Sequence, residues 1–159
     1  MPRKVTKSLQ RVLSPDRKYN SVLVQRLINK SILDGKKSIA ERAVYDALEQ
    51  AAKKLDSEDP LEVFERALKN IAPNFEVKSR RVGGANYQIP FPVQGHRQLH
   101  YAYSWLVQSA RNRKGMPYSQ RLALEVVDAY NGAGAAFKKK EDTHKMAEAN
   151  RAFAHFARS

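Results

Sequence analysis

The chain has 159 residues, 42% of them hydrophobic, enough for one ordinary domain with a buried core and too many for wholesale disorder. Lys and Arg number 29 against 16 Asp and Glu, and a net charge of +13 points to a polyanionic partner, either nucleic acid or an anionic membrane surface. The absence of cysteine excludes disulfides and thiolate metal sites; with no membrane-span-length apolar run and no signal-peptide core behind the basic start, a soluble, intracellular protein is expected.

Residues 1–18 show no sustained period and are broken by Pro15. They carry Arg3, Lys4, Lys7 and Arg11 and read as a basic arm that orders on its partner. A helical domain over 19–159 follows. Its first helix, near 20–33, places Val24, Leu27, Ile28 and Ile32 on one face and ends at Asp34-Gly35. Ser38 with Glu41 reads as a capping box for a second helix whose apolar stripe runs from Ala40 to Leu55. Asp59-Pro60-Leu61-Glu62 starts a third, with Leu61, Phe64, Ala67, Leu68 and Ile71 buried and Pro73 closing it.

Residues 77–90, VKSRRVGGANYQIP, then predict a β-ribbon (about 74–90) turning at Gly83-Gly84. A two-residue turn pairs Val82 with Ala85, Arg80 with Tyr87 and Lys78 with Ile89, and puts Arg81 on the opposite face beside Asn86. Pro90 and Pro92, which lack a donor, are expected to end the second strand. A fourth helix spans about 94–114, with Leu99, Ala102, Tyr103, Leu106, Val107 and Ala110 inward. Helices near 119–130 and 140–157 complete a mainly α protein, a six-helix bundle with one protruding two-stranded ribbon between helices three and four. The sixth is expected to bury Met146, Ala149, Phe153 and Phe156.

The charge is unevenly placed. Residues 1–20 carry +5, 21–70 are neutral and 71–159 carry +8, and from 77 to 124 there is no acid at all. The cations Lys78, Arg80 and Arg81 therefore read as having no acid to answer them, and the whole stretch as a phosphate contact. On helix four Arg97, Tyr101, Trp105, Gln108, Arg111 and Asn112 stand opposite the core stripe. Trp105 fits two roles, packing against another helix or stacking beside guanidinium groups on RNA. Arg111, Arg113 and Lys114 complement the helix dipole, a role that needs one charge and not three. Lys138-Lys139-Lys140 at a helix start would oppose the dipole, which favours an external anion.

Catalytic and metal chemistry find little support. Gly35-Lys36-Lys37-Ser38 resembles the end of a phosphate-binding loop, but Lys30 occupies the place of the leading glycine. His96 and His100 are four apart on a helix without a third ligand nearby, so no metal or other cofactor is expected. No nucleophile, base and orienting acid come together, which argues against an enzyme.

Three separated segments, ILDGKKSIAERAVYDAL (32–48), VKSRRVGGANYQIP (77–90) and KKKEDTHKMAEANRAFAHF (138–156), resemble the bacterial form of ribosomal protein seven of the small subunit. The likeness is collinear and covers essentially the whole chain. It implies a six-helix bundle with a ribbon, located in the cytoplasm in the small ribosomal subunit. It further implies direct binding of small-subunit rRNA and nucleation of the head (3′ major domain). The mature protein would lie at the subunit interface near the decoding region, with the ribbon toward exit-site tRNA and mRNA close by. Small-subunit ribosomal proteins nine and eleven would be neighbours, with neither membrane nor DNA expected as partners. Carried over by position, the RNA contacts fall on Arg3, Lys4, Lys7, Arg11, Lys36, Lys37, Lys78, Arg80, Arg81, Arg97, Trp105, Arg111 and Arg113. Gly83, Gly84, Tyr87, Lys114, Lys138, Lys139 and Lys140 join them from the ribbon and the two basic segments read above. A stand-alone nucleic-acid-binding regulator is the alternative, with helices two and three mimicking a helix-turn-helix but carrying acids on their outer faces.

Overall fold

The structure is a computed structural model and describes residues 12–158, with side chains to residue 155. The expected arm cations Arg3, Lys4, Lys7 and Arg11, and the Phe156 side chain, lie outside the described residues. Six helices occur in order, α1 (Val22–Ser31), α2 (Lys37–Lys54), α3 (Pro60–Ile71), α4 (His96–Asn112), α5 (Tyr118–Tyr130) and α6 (Gly134–Ala149). Strands β1 (Phe75–Val82) and β2 (Ala85–Pro92) form an antiparallel ribbon between α3 and α4, and a 3-10 helix, Arg151–Arg158, follows α6.

The helices close around one apolar core. Val24, Leu27 and Ile28 of α1, Val44 and Leu48 of α2, Phe64 and Ile71 of α3, Leu106 of α4 and Leu122 of α5 are all fully buried. α5 lies across the bundle, packing on α2, α3, α4 and α6. At about 1.5–3 kcal/mol for each fully buried large apolar side chain, this core dominates folding. Asp59 caps α3 through the Leu61 N–H (2.8 Å) with Pro60 in the first turn, as the sequence indicates.

Three local expectations are corrected. Ser38 does not cap α2, because the helix begins one residue earlier with Lys36 at the N-cap and no side-chain cap bond. α6 begins at Gly134, not near 140, so Lys138–Lys140 lie within the helix instead of at its start. Its buried residues are Ala136 and Ala147; Met146 is 51% exposed and Ala149 is also exposed. The cause of the early start is tertiary: the Glu125 carboxylate of α5 accepts the Ala136 N–H at 2.8 Å and caps the new helix.

The ribbon has the register expected, with Val82 opposite Ala85, Arg80 opposite Tyr87 and Lys78 opposite Ile89. Gly83 and Gly84 adopt φ of 58° and 89°, the pair of positive values a primed two-residue turn requires. β2 runs through Pro90 and ends at Pro92, the two standing opposite Val77 and Phe75, so only Pro92 terminates the strand as expected. The Val93 N–H donates to the Asn74 carbonyl (2.8 Å), which sets the alternation of pairs along the ladder. Both prolines therefore fall at non-hydrogen-bonded pairs with their nitrogens turned outward, where no ladder donor is lost.

Candidate nucleic-acid interface

The basic residues of the acid-free stretch divide into two groups once the chain folds. The stretch is bracketed by Glu76 and Glu125, and both acids are buried, at 5% and 0% exposure. Glu76 sits on β1 at the root of the ribbon. Its Oε2 accepts from Arg97 Nε (2.8 Å) and from the Tyr101 hydroxyl (2.5 Å), and a second Arg97 nitrogen lies at 2.7 Å. Lys78 Nζ lies 2.9 Å from Oε1. Burial, the largest single influence, pushes this carboxyl up, but the bonds from Arg97, Tyr101 and Lys78 together outweigh it and hold it at about 2. The expectation that no acid answers the ribbon cations is thereby corrected for Lys78, and Arg97 is likewise engaged within the protein.

Arg113, the C-cap of α4, is similarly committed. Its Nε donates to Glu125 Oε2 at 2.8 Å and it also bonds Asp128. Glu125 serves Arg113 through one oxygen and Ala136 through the other, tying the ends of α4 and α6 to α5. Gly134 fits against this cluster, since a Cβ there would stand 2.8 Å from Asp128 Cβ. Arg121, absent from the sequence-based set, donates to the Arg111 and Arg113 carbonyls (3.0 and 2.8 Å) and closes the C-terminal end of α4. Arg111 is half-buried and reaches the Ser31 carbonyl at 3.4 Å. Lys140 is half-buried, donates to the Asn70 carbonyl (2.7 Å), and burial lowers the pKa of its ammonium.

Trp105 is half-buried against the core, its ring 5.4 Å from that of Tyr101. Tyr87 is half-buried as well, 5.1 Å from Phe153 of the 3-10 helix, which braces the ribbon near its tip. Lys78 and Arg80 lie over the Phe91 ring at 4.9 and 5.8 Å. At the root, the Asn74 N–H donates to His144 Nε2 of α6 (3.0 Å), and burial holds that imidazole below its ordinary pKa.

The second group of cations faces solvent. Lys36 and Lys37 are exposed at the α1–α2 junction, Arg80 and Arg81 on the ribbon beside the Gly83-Gly84 turn, Lys114 beyond α4, and Lys138 and Lys139 on α6. The structure adds an open groove of about 340 Å³ between α1 and α4, lined by Arg26, Asn29, Lys30, His96, Leu99, His100 and Tyr103. Arg26 and Lys30 were not singled out in the sequence, although their four-residue spacing opposite Val24, Leu27 and Ile28 carried the signal. The groove offers cations and imidazoles over an apolar, aromatic floor, the chemistry that suits phosphates and ribose. Among the described residues no group of His, Asp and Glu is arranged to hold a metal ion, and no helix is long and apolar enough to cross a membrane.

Residues 2–151 match the family described as ribosomal protein S7p/S5e. The chain belongs to that family. It is 56% identical over 149 residues to the small ribosomal subunit protein uS7 of Chloroflexus aggregans, covering 94% of each chain. Against uS7 of Thermomicrobium roseum it is 54% identical over 156 residues, covering 98% of this chain and 99% of the relative. Against uS7 of Dictyoglomus turgidum it is 56% identical over 146 residues, 92% and 93% of the two chains. The family resemblance read from the three sequence segments is thus established over nearly the full length. The relatives matched are ribosomal structural proteins, not enzymes.

Proposed function

We propose that this chain, a structural constituent of the small ribosomal subunit, binds the 3′ major domain of small-subunit rRNA directly and nucleates the subunit head. In the same reading its ribbon reaches exit-site tRNA beside the mRNA path, and ribosomal proteins nine and eleven are its neighbours. The observation that carries the reading is the spacing of exposed cations over separate rigid elements. Lys36 and Lys37 stand at a helix junction, Arg81 on the ribbon, Lys114 past α4, and Arg26 and Lys30 in a groove. A helix-built frame holds these charges at fixed separations, so it can select an RNA junction by shape while phosphates supply the affinity.

The mechanism follows from this division of labour. Exposed cations capture phosphates and release counterions; the close-packed bundle then fits only RNA whose helices meet at matching spacing. Binding is measured to an isolated head-domain rRNA fragment, an unrelated RNA duplex and a DNA duplex of equal length. The rRNA fragment binds most tightly, and its affinity falls by about 10³-fold or more between 50 and 200 mM salt if six or more phosphates are engaged. Equal affinity for the three overturns the reading and favours a stand-alone nucleic-acid-binding regulator.

A further inference from the structure

We infer that Glu76 is a resident counter-anion that sets RNA selectivity, withholding one of the two charges of Arg97 and Lys78 from phosphates while fixing the ribbon on α4. The inference rests on the RNA-binding reading above and deepens it. A guanidinium, an ammonium and a phenolic hydroxyl converge here within 2.9 Å of one group, the donor set with which proteins hold phosphate. The anion they hold is the chain's own carboxylate. It is buried, while Lys78 and Arg97 are about half exposed, at 46% and 55%. One carboxylate thus cancels one of these two charges from beneath, and the cluster keeps a single net positive charge.

Two consequences follow. A phosphate that binds a cation already paired with a carboxylate displaces that carboxylate and not free counterions, so Lys78 and Arg97 together add one contact, not two, to the salt-dependent, sequence-independent affinity. The same bonds join β1 to α4, so the ribbon cations beyond them keep a set distance from the helix. Arg80, two residues further along the same face, shares the Phe91 ring with Lys78 and inherits that placement. Glu76 thus lowers indiscriminate binding and preserves the geometry that discriminating binding uses. It is a positioning residue, acting through Arg97, Tyr101 and Lys78.

The test uses the full chain, the head-domain rRNA fragment and an unrelated RNA duplex of equal length as probes, over 50–300 mM salt. Glu76→Gln keeps the shape of the side chain and removes its charge. Expected are a slope of log affinity against log salt steeper by about 0.7–0.9, for one added contact, and a fall in the ratio of rRNA to unrelated-RNA affinity. The double variant Glu76→Gln, Lys78→Gln keeps one uncancelled charge, as the wild-type cluster does, and returns to the wild-type slope. An unchanged slope in a folded Glu76→Gln chain overturns the inference, and so does a double variant shallower than wild type by about one contact. Should Glu76→Gln fail to fold, the double variant, which removes one cation with the acid, decides alone. Loss of the wild-type preference for the rRNA fragment would instead overturn the RNA reading itself.

Discussion

Replacing Gly134 by Ala tests how tightly the α4, α5 and α6 ends are locked together. Two terms add at this position. Its φ of +89° lies in the left-handed region, where a side chain costs about 1–2 kcal/mol, offset by roughly 0.4–1 kcal/mol from the stiffer unfolded chain. The new Cβ also meets Asp128 Cβ at 2.8 Å and Glu125 Oε1 at 3.2 Å. Neither neighbour can withdraw, because Asp128 and Glu125 are both held by Arg113 and Glu125 also caps Ala136. Overpacking of this kind costs about 1–3 kcal/mol, which brings the total to roughly 2–4 kcal/mol. Gly115 isolates the first term, since its φ is +84° and a Cβ there meets nothing within 4 Å. Thermal or urea unfolding followed by circular dichroism gives the readout. At about 2–4 °C per kcal/mol for a chain of this size, Gly134→Ala should lower Tm by roughly 5–15 °C and Gly115→Ala by a few degrees at most. Equal shifts in the two variants would show that the cluster yields, and the account of Gly134 would be wrong.

Three further outcomes are expected. The Glu76 carboxyl is lowered from 4.5 to about 2, so its stabilisation of the ribbon is complete above pH 4.5 and is lost as pH falls toward 2. Amide exchange of the ribbon in the wild-type chain and in Glu76→Gln should therefore differ at neutral pH and converge near pH 2, and a constant difference over that range would refute the ion pairing. Ending the chain after Asn150 removes the Phe153 ring from Tyr87, and the ladder-donating amides of Ala85 and Tyr87 should exchange at least about tenfold faster while the bundle melts within a few degrees of the full chain. Trp105→Ala should cost about 2–3 kcal/mol, below the full burial range because the ring is only partly buried; Trp105→Phe should cost under about 1.5 kcal/mol and leave rRNA affinity unchanged if packing is its role, whereas a tenfold loss of affinity in the Phe variant would favour a stacking role.

The parts of this molecule governed by local rules could be read before folding. The α2 and α3 stripes, the Asp59-Pro60 start and the ribbon register all follow from helical periodicity, capping and the length of a primed turn. What escaped was long-range. Counting acids inside 77–124 made the cations there look unanswered, yet the fold returns the two bracketing acids to Arg97 and Arg113, 21 and 12 residues away. The run Asn131–Ala136 reads as a breaker, and only a carboxylate from α5 makes a helix start of it. The groove between α1 and α4 was hidden for the same reason: Arg26 and Lys30 gain their meaning from His96 and His100, some 66–74 residues later.

The outward nitrogens of Pro90 and Pro92 have a consequence for the protein before it reaches its subunit. An isolated ribbon exposes two rows of main-chain groups that could recruit a strand from another copy. On β2 the outward donors are reduced to Asn86 and Gln88, so that side offers a poor template for self-association. On β1 the neighbouring arginines and lysine repel a second equally basic ribbon. Both edges of the ribbon are therefore poor templates for pairing with a second copy of the chain.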